Sequence, residues 1–283
     1  MQFFVSVIFP QRDLNTRCGN PLSIIALMVR ITPPMATIMV SFPYGYPVTG
    51  KTSGPLIGII MLDTRFPRLK WDAGNPESYG CNTMIKRIGG ASVRNVVSAN
   101  RPEELTSDFI SAAREIEEAG ASTVTTTCGF MIAFQKEIEK HVSIPVLTSS
   151  LLQIPLIENS LPRSRKIGII TADSQALMWD HLKIAGASER SRFLIEGMED
   201  KTEFSRAILG NSATLDKKKL GSEVLKTANE LVSADSQLGA FLLECTNLPP
   251  YSQLLRKTFG IPVFDFITMI NWFISAANPS TFE

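Results

Sequence analysis

Histidine and cysteine are both scarce in this chain: two His and four Cys among 283 residues. Four cysteines are too few for a disulfide framework, and no C-x-x-C pair is present to hold zinc. His141 and His181 alone argue against a His-based metal site and against a Ser-His-Asp triad. An excess of charge of one sign is missing too. Lys and Arg number 28 against 27 Asp and Glu, a net charge of +1. That balance leaves no electrostatic footprint for nucleic acid or an anionic membrane, so neither is an expected partner. Acid is nearly absent from residues 1–50, where Asp13 stands alone beside Arg12, Arg17 and Arg30. The apolar run 24–29 is too short to span a bilayer. Residues 3–9 are apolar from the start, with no basic residue ahead of them and no cleavage site, which argues against a secretory signal. Residues 1–50 therefore read as a poorly ordered extension and the protein as cytoplasmic, with an organellar transit peptide as the alternative.

What is present is a globular composition, 44% hydrophobic and 19% charged. At roughly 150 residues per domain the length predicts two medium domains or one large one. Gly45-Tyr46-Pro47-Val48-Thr49-Gly50-Lys51-Thr52 matches the G-x-x-x-x-G-K-[ST] phosphate-binding pattern. A working P-loop must open a helix whose amides face the phosphates. Here Ser53-Gly54-Pro55 and a β-like apolar run follow instead, so the match carries no nucleotide site.

From residue 55 onward strands alternate with helices, the signature of α/β architecture with parallel sheets. Residues 57–62 read as a buried strand, 103–118 as an amphipathic helix, 122–127 as a strand, 130–141 as a helix and 144–147 as a short strand. The second half repeats the first. Ile57-Gly58-Ile59-Ile60 returns as Ile167-Gly168-Ile169-Ile170, and Asp63-Thr64 returns at the same spacing as Asp173-Ser174. Ile144-Pro145-Val146 returns as Ile261-Pro262-Val263. One offset of 117 residues separates Cys128 from Cys245 and Ile144 from Ile261. Ordered landmarks at one offset predict duplicated α/β halves meeting near residues 155–165.

Each half places a cysteine where a strand ends and a helix is about to begin, the edge at which open α/β sheets bind ligands. Cys128 is followed by Gly129 and Phe130. Cys245 is followed by Thr246-Asn247-Leu248-Pro249-Pro250, with proline suited to a first helical turn. The field of a helix N-terminus is expected to lower a thiol pKa toward neutral. Either cysteine alone is equally a small buried hydrophobe. Two of them on facing halves suit proton transfer at one carbon, one group acting as thiolate base and the other as thiol acid. Cys18 and Cys81 lack this setting.

Thr125-Thr126-Thr127-Cys128-Gly129-Phe130, Leu243-Glu244-Cys245-Thr246-Asn247-Leu248-Pro249-Pro250 and Gly58-Ile59-Ile60-Met61-Leu62-Asp63-Thr64 together resemble the cofactor-independent aspartate/glutamate racemase superfamily. That superfamily includes hydantoin racemases, maleate isomerases and arylmalonate decarboxylases. The resemblance spans roughly residues 50–275. It implies two pseudo-symmetric α/β lobes, each a parallel sheet flanked by helices, with the site in the cleft between them. The lobes would be residues 51–155 and 156–263, with 264–283 returning as a helix to the first. It implies Cys128 and Cys245 as acid/base pair without cofactor or metal, and a small carboxylate as substrate. Asp63, Thr64, Thr127, Gly129, Ser149, Thr246 and Asn247 would bind that substrate, and a homodimer is expected. The implied activity is racemisation or epimerisation of an amino acid or related carboxylate. The alternatives are decarboxylation or cis–trans isomerisation within the superfamily, or ligand binding without catalysis.

The chain also departs from the pattern. Amino-acid racemases usually carry Asn-Thr after the first cysteine and often Thr-His after the second; here stand Gly129-Phe130 and Thr246-Asn247. Donors for an α-carboxylate are lost and apolar surface is gained, which points away from glutamate and aspartate. In the loop 63–79, Arg65 or Arg68 is placed to grip a carboxylate bidentately, against the blander reading of a solvated connection. His141 and His181 read as structural.

Overall fold

The computed structural model describes residues 48–49, 54–97 and 104–277, all within one compact unit, Met39–Glu283. Most of residues 1–50 and of the P-loop match therefore lie outside the described residues. Val48–Thr49 forms a short strand, β1, and the run after the match is strand β2 (Leu56–Leu62), where a P-loop needs a helix.

The first lobe continues with β3 (Asn82–Ile88), α1 (Val93–Val96), α2 (Glu104–Glu118), β4 (Thr123–Thr126), α3 (Gln135–Glu139), β5 (Val146–Leu147) and α4 (Ile154–Ser160). The second holds β6 (Lys166–Thr171), α5 (Trp179–Ile184), β7 (Phe193–Gly197), α6 (Thr202–Phe204), α7 (Lys217–Ala234), β8 (Leu238–Leu243), α8 (Ser252–Phe259) and β9 (Val263–Phe264). A final helix, α9 (Phe266–Ala277), follows.

Strand order is β1-β3-β2-β4-β5 in one sheet and β7-β6-β8-β9 in the other. Leaving out the antiparallel β1, all pairings are parallel and the two orders correspond strand for strand. The repeat seen in the sequence is thus a repeat of topology. Its Ile-Gly-Ile-Ile motif has a packing reason. A Cβ at Gly58 would overlap the Ile116 side chain of α2, and one at Gly168 would press on Leu238 and on Leu231 of α7. Each glycine lets a helix settle onto the central strand of its sheet.

The helix α2 buries Phe109, Ala112, Ala113 and Ile116, one apolar stripe at helical spacing. A single apolar core runs through both lobes, joining Ile60 and Phe130 to Ile169 and Leu243. A smaller core forms where Phe266, Ile267, Met269 and Ile270 of α9 meet Ile57, Ile59 and Tyr79 of the first lobe. The segment expected as one helix over 130–141 instead opens with six residues of 3-10 helix, Gly129–Phe134, before α3. Cys128 at its N-terminus offers no side-chain cap, so nothing there favours a full α-helical turn. Among the described residues no helix is long and apolar enough to cross a membrane.

Candidate active site

Strands β2, β4 and β8 all deliver their carboxyl ends to one small cavity between the lobes. Thr64, Phe66 and Arg68 arrive from the loop after β2, Thr127 to Phe130 from the loop after β4, and Glu244 to Asn247 from the loop after β8. Ala172, after β6, closes the wall. Both cysteines line this cavity and both are buried. Its free volume is only about 20 Å³, close to that of one water.

Threonine hydroxyls tie the cysteine loops to each other and to β2. The Thr246 hydroxyl donates to the Thr127 carbonyl at 2.7 Å, and Thr127 Oγ1 accepts from the Leu62 amide at 3.2 Å. Ala73 N–H reaches the Thr246 carbonyl at 3.2 Å, which pins the 63–79 loop over the second cysteine. The Thr246 proton is thereby spent on the fold, whereas Thr127 keeps its own proton free to donate. Gly129 and Asn247 also line the cavity, as the sequence reading expects.

Two expected residues are not brought there. Asp63 points outward, its side chain 51% exposed and paired with Arg87 at 3.4 Å. Ser149 is fully buried, but its Oγ caps the next turn by accepting from the Leu151 amide at 3.2 Å. A hydroxyl at a strand end serves as readily for capping as for ligand binding, and spacing alone does not separate the two.

Three further groups stand out, one of them, Arg68, a candidate of the sequence analysis. Arg68 donates through NH2 to Thr64 Oγ1 at 2.7 Å and through NH1 to Asp72 Oδ1 at 3.0 Å, with its guanidinium 4.4 Å above the Phe66 ring. Arg65 lies outside the cavity lining and is bound through its amide to Asn211. Of the two arginines considered for the carboxylate, the structure therefore brings only Arg68 to the site. Asp72 is buried and accepts from Asn247 Nδ2 at 2.6 Å, and Asn247 Oδ1 in turn faces Cys245 Sγ at 3.6 Å. A polar chain Arg68–Asp72–Asn247–Cys245 results. Glu244 is the third, fully buried beside Cys245, with Oε2 taking the Thr171 hydroxyl at 2.8 Å. Its signal in the sequence is an acid closing the apolar run Phe241-Leu242-Leu243, where a buried strand has no use for charge. Asp72 carries no comparable signal, because its contact with Asn247 across 175 residues leaves no local pattern.

The electrostatics overturn one expectation. Burial pushes the Cys128 thiol up to about 12, and the Glu244 carboxyl adds to the rise, while the Phe130 and Met131 amides and Arg68 pull it down. The Cys245 thiol is also raised well above its ordinary value, by burial and then by Glu244, with Cys128 and Asp72 adding to it. Helix termini do not win here, for two reasons. The turn after Cys128 is a short 3-10 segment with little dipole. The turn after Cys245 is a 3-10 segment of three residues, also with little dipole, and burial outweighs the one amide, that of Asn247, that favours the thiolate. Burial also raises the Glu244 carboxyl to about 7, against the pull of Thr171 and the Ala172 amide.

His181 is buried, with Nδ1 accepting from the Met178 amide at 3.1 Å and its ring 5.6 Å from that of Phe130. His141 Nδ1 meets the Glu137 carbonyl at 2.7 Å. Neither lines the cavity.

No family model matches the chain. Among curated proteins it is 31% identical over 230 residues to dimethylsulfoniopropionate lyase 7 of Emiliania huxleyi, covering 78% of this chain and 67% of that one. It is 29% identical over 223 residues to a dimethylsulfoniopropionate lyase of Durusdinium sp. clade D, covering 77% and 73%. Among solved structures, Picrophilus torridus aspartate racemase superposes with a TM-score of 0.51 at 16% identity, over 81% of this chain and 96% of that one. Allantoin racemase of Pseudomonas fluorescens does so at 0.50 and 14% identity, over 78% and 89%. The chain shares the fold of those racemases and belongs to the family of the proteins named dimethylsulfoniopropionate lyase.

Proposed function

We propose that this chain is a lyase that eliminates dimethyl sulfide from dimethylsulfoniopropionate, or from a close relative of that sulfonium carboxylate. The reading departs from amino-acid racemisation, because the relatives' names describe a lyase. The observation that carries it is the meeting of Cys128, Cys245 and Arg68 at one closed cavity.

The substrate bears a carboxylate on one carbon and a sulfonium leaving group one carbon further on. Arg68 grips the carboxylate and stabilises the enediolate charge that develops when the α-proton leaves. Cys128 as thiolate takes that proton, since two backbone amides face its sulfur. The C–H electron pair becomes the new C=C bond, and the C–S pair departs on sulfur. Products are acrylate, neutral dimethyl sulfide and a protonated Cys128, which returns its proton to solvent. Cys245, set among Glu244 and Asp72, stays a thiol and donates toward the developing charge.

The raised thiol pKa fits a cationic substrate. An opposite charge held close by favours the thiolate, so a bound sulfonium offsets part of the rise that burial imposes on Cys128.

The test offers dimethylsulfoniopropionate and a panel of chiral amino acids to the protein in D2O. Acrylate and dimethyl sulfide from the first, with no α-deuterium in the second, is the expected outcome. Deuterium exchange in an amino acid without lysis of the sulfonium would return the chain to the racemases.

A further inference from the structure

Glu244 is a buried acid that the elimination above leaves without a direct role. Its side chain is 0% exposed, its Oε2 is held by Thr171 and by the Ala172 amide at 3.4 Å, and its Oε1 has no hydrogen-bond partner among the described residues. Asp72, the neighbouring buried acid, is neutralised by Arg68. Glu244 receives only neutral donors. A carboxylate in that setting is either protonated or matched to a cation that arrives from elsewhere.

The residue types around Oε1 suit such a cation. Residue 129 is glycine, and a Cβ there would overlap Glu244 Oε1, so the first cysteine loop leaves that oxygen its room. Phe130 follows at once and lines the same cavity, supplying the aromatic surface on which methylated cations settle. The departure from the racemase pattern at Gly129-Phe130 thus acquires a purpose.

We propose that Glu244 is the counter-ion of the substrate's positive centre and selects carboxylates with a cationic leaving group over neutral ones of the same shape. This rests on the lyase reading for the identity of the cation, with Arg68 and Glu244 taking opposite ends of one zwitterion.

Calorimetric titration with two non-reacting probes tests it: 3-(trimethylammonio)propionate and its neutral isostere 4,4-dimethylpentanoate. Wild-type protein is expected to bind the cationic probe at least about tenfold more tightly, as one charge-assisted contact allows. Glu244→Gln is expected to remove that preference and to change affinity for the neutral probe by less than about twofold. Glu244→Asp, which keeps the charge but withdraws it, is expected to fall between. Equal binding of both probes by wild type, binding of neither, or a preference that survives in Glu244→Gln overturns the proposal. If the variant fails to fold, the wild-type comparison decides alone. A preference that depends on Glu244 in a protein that does not lyse the sulfonium would sink the lyase reading and leave the counter-ion standing. Lysis with an unchanged KM in Glu244→Gln would do the reverse.

Discussion

The loops after β4 and β8 occupy equivalent places in the two lobes, and each carries a cysteine to the same cavity. Their neighbours differ. Cys128 has a glycine, a phenylalanine ring and two amides that favour its thiolate. Cys245 has a carboxyl before it, the Asn247 side chain facing its sulfur, and one amide, that of Asn247, favouring its thiolate. Duplication has repeated the scaffold with different side chains around each sulfur. A racemase working on both faces of a carbon needs two groups that exchange roles. An elimination needs one group to take a proton while the leaving group departs, and it tolerates this asymmetry.

The sharpest way to break the comparison is to remove each sulfur. Cys128→Ala is expected to lower kcat by about 10³-fold, and Cys245→Ala by about 10²-fold, within the range of acid/base assistance. Equal losses in steady-state turnover would erase the distinction between the loops.

Next comes the pH dependence of stability set by Glu244. Its folded pKa of about 7 lies above the ordinary 4.5, so its ionisation works against folding. That penalty is absent below pH 4.5, grows through the interval, and is complete above 7, where it amounts to on the order of 3 kcal/mol. Glu244→Gln should therefore melt higher than wild type at pH 8.5 and equally at pH 4. A lower melting temperature at pH 8.5 would mean that the charge already has a partner.

The two arginines separate on a smaller scale. Arg68→Ala should raise KM by about 10–100-fold, the loss of a charge-assisted contact, while Arg65→Ala stays within about twofold. Equal KM values for the two variants would remove Arg68 from the carboxylate. The smallest effects belong to residues that sequence reasoning placed at the site and the structure does not. Ser149→Ala should cost about 1 kcal/mol in a denaturant melt with kcat/KM unchanged, and Asp63→Asn less than that, as an exposed ion pair.

The difference between these groups shows what a sequence discloses. The repeated Ile-Gly-Ile-Ile and Ile-Pro-Val landmarks expose the two-lobed fold because each strand's hydrophobic pattern is local and the packing demand at Gly58 and Gly168 is the same. The cysteines are legible because strand ends mark the cleft. Arg68 and Asp72 lie in an irregular loop whose route over Cys245 depends on the Ala73–Thr246 bond. No periodicity announces that route. The thiol pKa runs against the sequence expectation because a helix start is visible in sequence, whereas complete burial and the nearness of Glu244 count only once the loops are assembled.

The most direct test of the central claim measures dimethyl sulfide and acrylate released from dimethylsulfoniopropionate by the wild-type chain and by the double variant Cys128→Ser/Cys245→Ser. Equal amounts of the two products from wild type, and none above background from a variant that melts normally, is the predicted result. Release that persists in the double variant, or none from wild type, would contradict it.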